Sequence, residues 1–217
     1  MMELGELTHL IKSRRSIRDW QDREVSEQLL LQAIELATWA PNGGNQQNWR
    51  FYVILNRDTI KDIADAVQSS ADQVAVWTEA INPGSAAPAR RRAGFFQKAP
   101  AAIAVAASQY QSAVDQVLVA SEKTEPLAGQ IRQWRNVADS RIQSVAAAIS
   151  YLLLILHQMG LGALWMTGPT QAKEEIEKIL RVPSEMDFIA FIPVGYPAES
   201  PEIMGRRAVS EVSEVIR

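Results

Sequence analysis

Residues 41 to 49, PNGGNQQNW, place turn-forming residues and side-chain amides between a helical pattern and a strand pattern. The turn formers at 41 to 44 end the preceding helix. Asn45 and Gln47 then offer amides that both donate and accept hydrogen bonds. Such groups suit a flat heterocycle with imide edges. The alternative is an ordinary loop whose amides bond to its own backbone.

A basic segment, RRSIR at residues 14 to 18, follows the first helical pattern. If this segment is extended, Arg14, Ser16 and Arg18 project to the same side, because alternate residues of a strand share a face. These side chains would then contact one ligand. An isolated basic cluster is more often a solvated surface. The amide loop that follows makes the ligand-binding interpretation the stronger one.

Four landmarks occur in a fixed order along the chain: RRSIR at 14 to 18, ATWAPNGGNQQNW at 37 to 49, GLGALWMTG at 160 to 168, and GYPAE at 195 to 199. Together they resemble the nitroreductase-like FMN flavoproteins. The resemblance runs from about residue 8 to the C-terminus and is weakest in the middle of the chain. Relative to the pattern of that family, Asn42 stands where Ser is common, and Asn48 stands where Pro is common.

The resemblance implies where FMN would bind. Arg14, with Arg206 or Arg207, would hold the phosphate through charge-assisted hydrogen bonds. Arg18 would face the pyrimidine edge of the ring, where reduction builds negative charge. No side chain is assigned as a catalytic acid; instead, the backbone N–H groups of Thr167 and Gly168 would lie near the hydride-accepting nitrogen. The expected cofactor-binding residues are Arg14, Arg15, Ser16, Arg18, Pro41, Asn42, Gly43, Asn45, Gln47, Trp165, Met166, Thr167, Gly168, Arg206 and Arg207.

The activity implied by the resemblance is that of an FMN-dependent oxidoreductase. It would take hydride from NADH or NADPH and reduce an electron-poor acceptor such as a nitroaromatic or a quinone. A reductive dehalogenase or a flavin-modifying enzyme of the same fold stays open, as does a non-catalytic FMN carrier or redox-sensing module. The chain has no cysteine, which excludes disulfides, thiolate nucleophiles and iron–sulfur ligation. Redox chemistry therefore needs a bound cofactor.

Three other motifs favour ordinary structural roles. The turn GLG at 160 to 162 follows a helix and precedes a strand, the reverse of a dinucleotide-binding fingerprint, so a helix stop is preferred. His9 and His157 are far apart and lack carboxylates at ligand spacing, so no metal site is expected. The run of arginines at 90 to 92 is suited to the phosphates of NADPH, but a solvated helix face is the favoured interpretation.

The overall composition is that of one globular domain, residues 1 to 217, with 47% apolar and 22% charged residues. The 22 basic and 25 acidic residues give a net charge of -3, so no electrostatic case exists for nucleic acid or an anionic membrane. The N-terminus lacks the pattern of a secretory signal, and we expect a cytoplasmic protein. Two excursions, about 69 to 99 and 108 to 130, are interpreted as lid material that governs the choice of substrate.

The remaining patterns predict an α+β fold with a nitroreductase-like antiparallel or mixed sheet flanked by helices. The predicted helices are 3–13, 26–39, 59–68, 131–159 and 172–180, and the predicted strands are 50–55, 101–107, 163–166 and 187–195. Trp39 and Trp49 are expected in the core. The run Val145 to Leu156 is apolar around nearly its whole circumference, and one core face cannot cover it. We therefore expect a homodimer with shared FMN sites.

Overall fold

The computed structural model describes residues 3–84, 93–110 and 112–217, so the arginines at 90 to 92 lie outside it. The helices are α1 Leu4–Ser13, α2 Glu27–Ala37, α3 Arg57–Ile81, α4 Ala113–Ser121, α5 Pro126–Ala138, α6 Ser140–Gln158, α7 Lys173–Leu180 and α8 Val209–Val212. The strands are β1 Trp49–Ile54, β2 Ala101–Ser108, β3 Gly162–Ala163 and β4 Met186–Gly195. Short 3-10 turns cover Gly43–Asn45, Phe95–Lys98 and Gly168–Ala172.

The four strands form an antiparallel sheet in the order β1-β2-β4-β3, which confirms the predicted α+β fold. β2 is buried along almost its full length, and its alternate residues serve two cores. Ile103 and Val105 pack toward α2 and α6, while Ala102 and Ala104 pack toward α3 and α7. Alternation along the strand thus allows helices to cover both faces of the sheet.

α3 is longer than the sequence pattern indicated. Its N-cap is Asn56, whose side chain accepts a hydrogen bond from the Thr59 N–H at 3.0 Å, so a cap at Asp58 or Thr59, which the sequence pattern favours, is wrong. The helix continues well beyond the predicted end, because Ala71 and Ala75 extend its buried face. Much of the predicted excursion at 69 to 99 is therefore the second half of α3.

The long helix predicted over 131 to 159 is in fact two helices. Asp139 has a left-handed backbone with φ of 37°, and it ends α5. The same residue caps α6, since its side chain accepts a hydrogen bond from the Ile142 N–H at 3.1 Å. A left-handed residue cannot continue a right-handed helix, and Asp tolerates this conformation better than most residues.

By length and composition alone, the 33-residue stretch Pro126–Gln158 would be long and apolar enough to cross a membrane. The break at Asp139 divides this stretch, and α6 packs Val145, Ile149 and Leu152 into the core beside the sheet. Core helices of folded domains meet the same test of composition. We therefore assign α6 as a core helix.

Two smaller predictions also need correction. The strand expected at 163 to 166 is only Gly162–Ala163, after which Met166 rejoins the sheet through an isolated bridge to Phe191. Trp39 is 77% exposed at the end of α2, so its assignment to the core was wrong, whereas Trp49 is buried as expected. A tryptophan that follows a terminated helix no longer shares the buried face of that helix.

The tail, residues 201–217, is exposed at nearly every position. It contains one short helical turn, α8, and is otherwise extended. Its apolar side chains Ile203, Met204, Val209 and Ile216 are 74 to 90% exposed. An extended segment with uncovered apolar residues buries too little surface to be fixed by its own chain.

Candidate cofactor site

Three arginines meet at a cavity of about 680 Å³ between the end of α1, the middle of α6 and the tail. Arg14 and Arg15 come from the end of α1, and Arg206 comes from the tail. Burial, together with the charges of Arg15 and Arg206, lowers the pKa of Arg14. An anion bound here would offset that repulsion. The other lining residues are Ile11, Lys12, Ser150, Leu153, Leu154, Trp165, Ile203, Met204 and Gly205.

Arg15 is held so that part of its guanidinium group stays unpaired. Its Nη1 donates to the carbonyls of Lys12 and Arg14 at 2.7 and 2.6 Å, at the C-terminal end of α1, where the helix dipole favours a cation. Its Nε and Nη2 atoms are buried and have no hydrogen-bond partner among the residues that the structure describes. Buried donors without partners are costly. Both nitrogens are closed to solvent in this structure, so an acceptor reaches them only when the neighbouring side chains shift.

The tail brings only one of its two adjacent arginines to this cavity. Arg206 lines it and donates Nη1 to two carbonyls of the tail itself, at 3.3 and 3.1 Å. Arg207 is exposed and is not part of the lining. Across residues 3–84, 93–110 and 112–217, no ion pair joins Arg14, Arg15 or Arg206 to an acid. The three cations therefore keep charge available for an anionic ligand.

The arginine segment, residues 14 to 18, is extended as predicted and is fixed to β3. The Ile17 N–H donates to the Ala163 carbonyl at 3.2 Å, and Ser16 forms a parallel bridge with Ala163. Nearby, the Trp20 indole N–H donates to the Gly162 carbonyl at 3.0 Å. These bonds tie the segment to the sheet although the two lie some 145 residues apart in sequence.

Of the three residues expected to share one face, only Arg14 lines the cavity. Ser16 is half-buried in its bridge to β3. Arg18 is exposed, and its Nη1 donates to the Ser16 carbonyl at 3.3 Å. The spacing of the segment is thus retained, but its side chains lie in different surroundings.

The amide loop, residues 41 to 48, closes on itself through Asn42. The Asn42 Oδ1 accepts from the Gln47 N–H at 3.0 Å, and its Nδ2 donates to the Ala40 carbonyl at 3.3 Å. The backbone is left-handed at Gly44, Asn45 and Gln47, with φ of 57°, 52° and 47°. Such conformations are strained in residues other than glycine and persist only where the surroundings hold them. The exposed side chains of Gln47 and Asn45 bond to each other at 3.3 Å.

Neighbouring elements hold the amide loop from two sides. The Gly43 N–H donates to the buried Ser144 Oγ at 3.1 Å, and a Cβ at Gly43 would lie 2.7 Å from Cε2 of Tyr110. Asn48 exchanges two hydrogen bonds with Ser108 at the end of β2, each of 2.9 Å. The loop is therefore a rigid surface that presents backbone and the amides of its tip.

The segment after β3 contributes two kinds of group. Met166 exchanges backbone hydrogen bonds of 2.9 and 3.0 Å with Phe191, which extends the sheet by one bridge. The Trp165 Nε1 is buried and unpartnered within the described residues, and its side chain lines the arginine cavity. Thr167 and Gly168 are exposed at the start of a 3-10 turn. A helical turn of this kind leaves its first N–H groups available to a ligand.

The predicted site residues fall into two sets within one chain. The arginine cluster and Trp165 meet at the cavity beside Leu153 of α6, whereas the amide loop contacts Ser144 of the same helix. These two positions are nine residues apart, or about 14 Å along the helix axis. Ser150, the nearest residue of α6 that lines the cavity, is six residues or about 9 Å from Ser144, so the two sets contact different turns of α6.

Sequence reasoning missed three residues that hold the two sets in place. Ser144 and Tyr110 support the amide loop, and Glu199 bonds to the backbone of Arg18. Ser144 and Tyr110 carry no local signal, because their partner is about seventy to one hundred residues away. Glu199 is the acid of the GYPAE landmark, so its place in that motif was the signal that could have identified it.

His157 lies next to the arginine cluster, and the structural role that the sequence suggested for it stays a prediction. Its Nε2 is 2.9 Å from the Ser13 Oγ at the end of α1. Burial, and then the charges of Arg14, Arg15 and His9, lower its pKa. The imidazole is therefore disposed to be neutral at pH 7, and it adds no fourth cation to the cluster.

The model of the nitroreductase family matches residues 11–196 of this chain. The chain belongs to the nitroreductase family. An NADH dehydrogenase of Thermus thermophilus is 29% identical over 202 residues, covering 86% of this chain and 84% of the relative. A 5,6-dimethylbenzimidazole synthase of Rhodospirillum rubrum is 28% identical over 200 residues, covering 91% and 84% of the two chains.

Solved structures agree with this family assignment. A BluB-like flavoprotein from Clostridium difficile has a TM-score of 0.87 and 26% identity, with full coverage of both chains. An iodotyrosine deiodinase, solved with FMN and 3-iodo-L-tyrosine, has a TM-score of 0.69 and 22% identity, with 97% coverage of each chain. The nitroreductase-like fold predicted from the sequence is thus confirmed.

Proposed function

We propose that this chain is an FMN-dependent oxidoreductase that takes hydride from NADH or NADPH and reduces an electron-poor acceptor such as a nitroaromatic or a quinone. The observation that carries the proposal is the arginine cavity. Arg14, Arg15 and Arg206 converge there without acidic partners among the described residues, and two guanidinium nitrogens of Arg15 are buried and unsatisfied. A ligand with a phosphate group would balance the positive charge and would supply acceptors for the unpaired donors.

The residues of the cavity fit FMN. The phosphate would bond to Arg14, Arg15 and Arg206, and the Trp165 N–H would donate to an acceptor on the same ligand. Thr167 and Gly168 would offer backbone donors beside the ring. When bound, FMN supplies a ring that accepts and releases hydride. The protein's contribution is to hold that ring, to balance its charge and to leave one face accessible.

The identity of the cofactor is testable on purified protein. We expect a yellow protein that releases FMN and not FAD on denaturation, because the arginines provide single cations and no pyrophosphate-binding turn. Anaerobic mixing with NADH, and separately with NADPH, should bleach the flavin, and an added nitroaromatic or quinone should restore its colour. Release of FAD, or no flavin uptake on reconstitution, contradicts the proposal. Bound FMN that neither nucleotide reduces would instead favour a carrier or redox-sensing module.

We further infer that two chains share each cofactor site. Within one chain, the amide loop and the arginine cluster contact different turns of α6, and a partner chain would bring a second loop to each cluster. The rim of the cavity is apolar and uncovered, with Ile11, Ile203 and Met204 exposed by 52, 74 and 80%. The exposed tail offers further apolar surface to a partner. Sedimentation at micromolar concentration should give a dimer, and a monomer that retains FMN would refute the shared site.

A second candidate is a flavin-modifying enzyme, favoured by the close full-length match to the BluB-like flavoprotein and by the related 5,6-dimethylbenzimidazole synthase. The two activities differ in what happens to reduced flavin in air. An oxidoreductase should recover its oxidised spectrum completely over repeated cycles. Irreversible loss of the flavin spectrum, with a new small aromatic product, would support the second candidate.

Reductive dehalogenation, the third enzyme class considered, is tested by adding a halogenated phenol as the acceptor. The cytoplasmic location stays a prediction.

A further inference from the structure

Glu199 makes an unusual contact for an acid near a cluster of cations. Its Oε1 accepts hydrogen bonds from the backbone N–H groups of Arg18 and Asp19, the second at 3.1 Å. The side chain is half-buried, and it shares a cavity of about 220 Å³ with Arg15 and His157. The carboxylate therefore bonds to the backbone of the arginine segment and not to a guanidinium group.

The residues before Glu199 join the same two stretches of chain. The Gln21 N–H donates to the Tyr196 carbonyl at 2.9 Å, and the Ala198 N–H donates to the Asp19 carbonyl at 3.1 Å. Trp20 also forms an antiparallel bridge with the residue after Tyr196. Glu199 is the last contact of this pairing. Beyond it the tail leaves toward the cavity.

The charge of Glu199 by itself opposes an anionic ligand, because a carboxylate beside Arg15 lowers the positive potential of the site. Its useful contribution must come through the two backbone hydrogen bonds, which an uncharged amide oxygen at this position can also accept. They fix the extended backbone at Arg18, and they fix the point from which the tail carries Arg206 into the cavity.

We propose that Glu199 is a positioning residue for the cofactor site: it sets the backbone of Arg18 against the flavin ring and the start of the tail that delivers Arg206 to the phosphate. The proposal rests on the proposed FMN-binding function. It assigns a physical role to the GYPAE landmark, whose acid acts through the backbone of a segment about 180 residues earlier in the sequence.

The test compares two acids of the same segment in the full-length protein. Glu199→Ala removes the acceptor, whereas Glu199→Gln keeps an acceptor oxygen and removes only the charge. Glu202, exposed and three residues later, is the matched control, changed to Ala and to Gln. Titration with FMN should show at least tenfold weaker binding for Glu199→Ala. Glu199→Gln and both Glu202 variants should stay within about threefold of wild type, well below the effect of losing the hydrogen-bond acceptor.

A second readout separates positioning from a general loss of stability. In the holoprotein, Glu199→Ala should lower the midpoint potential of the bound flavin, in the same direction as Arg18→Ala. The double variant should show no further decrease, because both changes act at one place. Fully additive shifts, or a wild-type potential in Glu199→Ala, overturn the proposal. If Glu199→Ala and Glu199→Gln weaken FMN binding equally, the proposal is also overturned. The effect would then come from the charge of Glu199 and not from its hydrogen bonds.

The proposal and the proposed function fail in different ways. Wild-type protein that takes up no FMN removes the function itself. Wild-type protein that binds FMN, with all four variants behaving alike, removes only the role of Glu199. The unfolding midpoint of the apo-protein is also measured for the four variants. If Glu199→Ala alone has a much lower midpoint, and its affinity for FMN is that of wild type after refolding with FMN, the result counts against a positioning role.

Discussion

The arginine cluster and the amide loop use their polar groups in opposite ways. At the cluster, buried nitrogens of Arg15 have no partner among the described residues, and burial together with neighbouring cations lowers the pKa of Arg14. At the loop, Asn42 bonds to the loop's own backbone, and Asn48 bonds to Ser108. The cluster has hydrogen-bond donors without partners in the described part of the chain, whereas most amides of the loop bond to the loop itself or to its neighbours.

This difference indicates two kinds of contribution to one site. Unsatisfied charged donors bind a ligand directly, so their removal should change affinity. Amides that hold a loop in left-handed conformations act indirectly, by presenting a rigid surface. Substitutions at the cluster should therefore cost more binding free energy than substitutions that loosen the loop. The following predictions test that ranking.

The largest effect is expected at the cluster. Arg14→Ala should weaken FMN binding by about 1.5 to 3 kcal/mol, the scale of a hydrogen bond to a charged group, which corresponds to a roughly 10- to 150-fold higher dissociation constant. The midpoint potential should change less. Arg207→Ala is the matched control, because Arg207 is exposed and outside the cavity lining. Equal effects of the two substitutions would show that the cavity does not bind the phosphate.

A smaller effect is expected from loosening the loop. Asn42→Ala removes the acceptor for the Gln47 N–H and should raise the FMN dissociation constant about fivefold, or about 1 kcal/mol. Hydrogen exchange at the Gln47 amide should become faster in the same variant. Asn42→Asp retains an acceptor oxygen and should restore slow exchange. A loss of affinity larger than that of Arg14→Ala would reverse the ranking of the two regions.

Arg18 tests whether an exposed cation acts on the ring. Arg18→Ala should lower the two-electron midpoint potential, because reduction builds negative charge that a fixed cation stabilises. FMN affinity should change by less than about threefold, on the scale of an exposed ion pair. Lys12→Ala is a useful comparison, since Lys12 lines the arginine cavity but is not expected at the ring. An unchanged potential in Arg18→Ala would place this arginine away from the ring.

The smallest effect concerns pH. Folding lowers the pKa of His157, so the unfolded chain binds more protons than the folded one as pH falls through 6.5. The resulting stability is fully present above that pH and is lost below it. Chemical unfolding of apo-protein should show that its free energy of unfolding decreases between pH 7 and 5. The decrease should be smaller in His157→Gln. Hydrogen exchange at the amide loop should show no matching dependence beyond its intrinsic rate, because residues 41 to 48 contain no titratable side chain.

Several elements were predictable because their signals are local. A short apolar run bounded by Pro100 marked β2, and Gly160, with φ of 77°, ended α6 as its position suggested. The loop at 41 to 48 was recognised from its turn formers and amides. The predicted helix over 131 to 159 failed because apolar periodicity continues across Asp139, and its left-handed backbone leaves little trace in the pattern.

The sequence by itself determined the chemistry: an arginine segment, an amide loop, no cysteine, and four landmarks in the order of one family. Only the tertiary structure decided that Arg206 and not Arg207 reaches the cavity, that Asn42 bonds to its own loop, and that Glu199 holds the backbone of Arg18. The physical reason is range. Residue type and short spacing fix what a group can bond to, whereas its actual partner depends on which distant segments the packed sheet and α6 bring together.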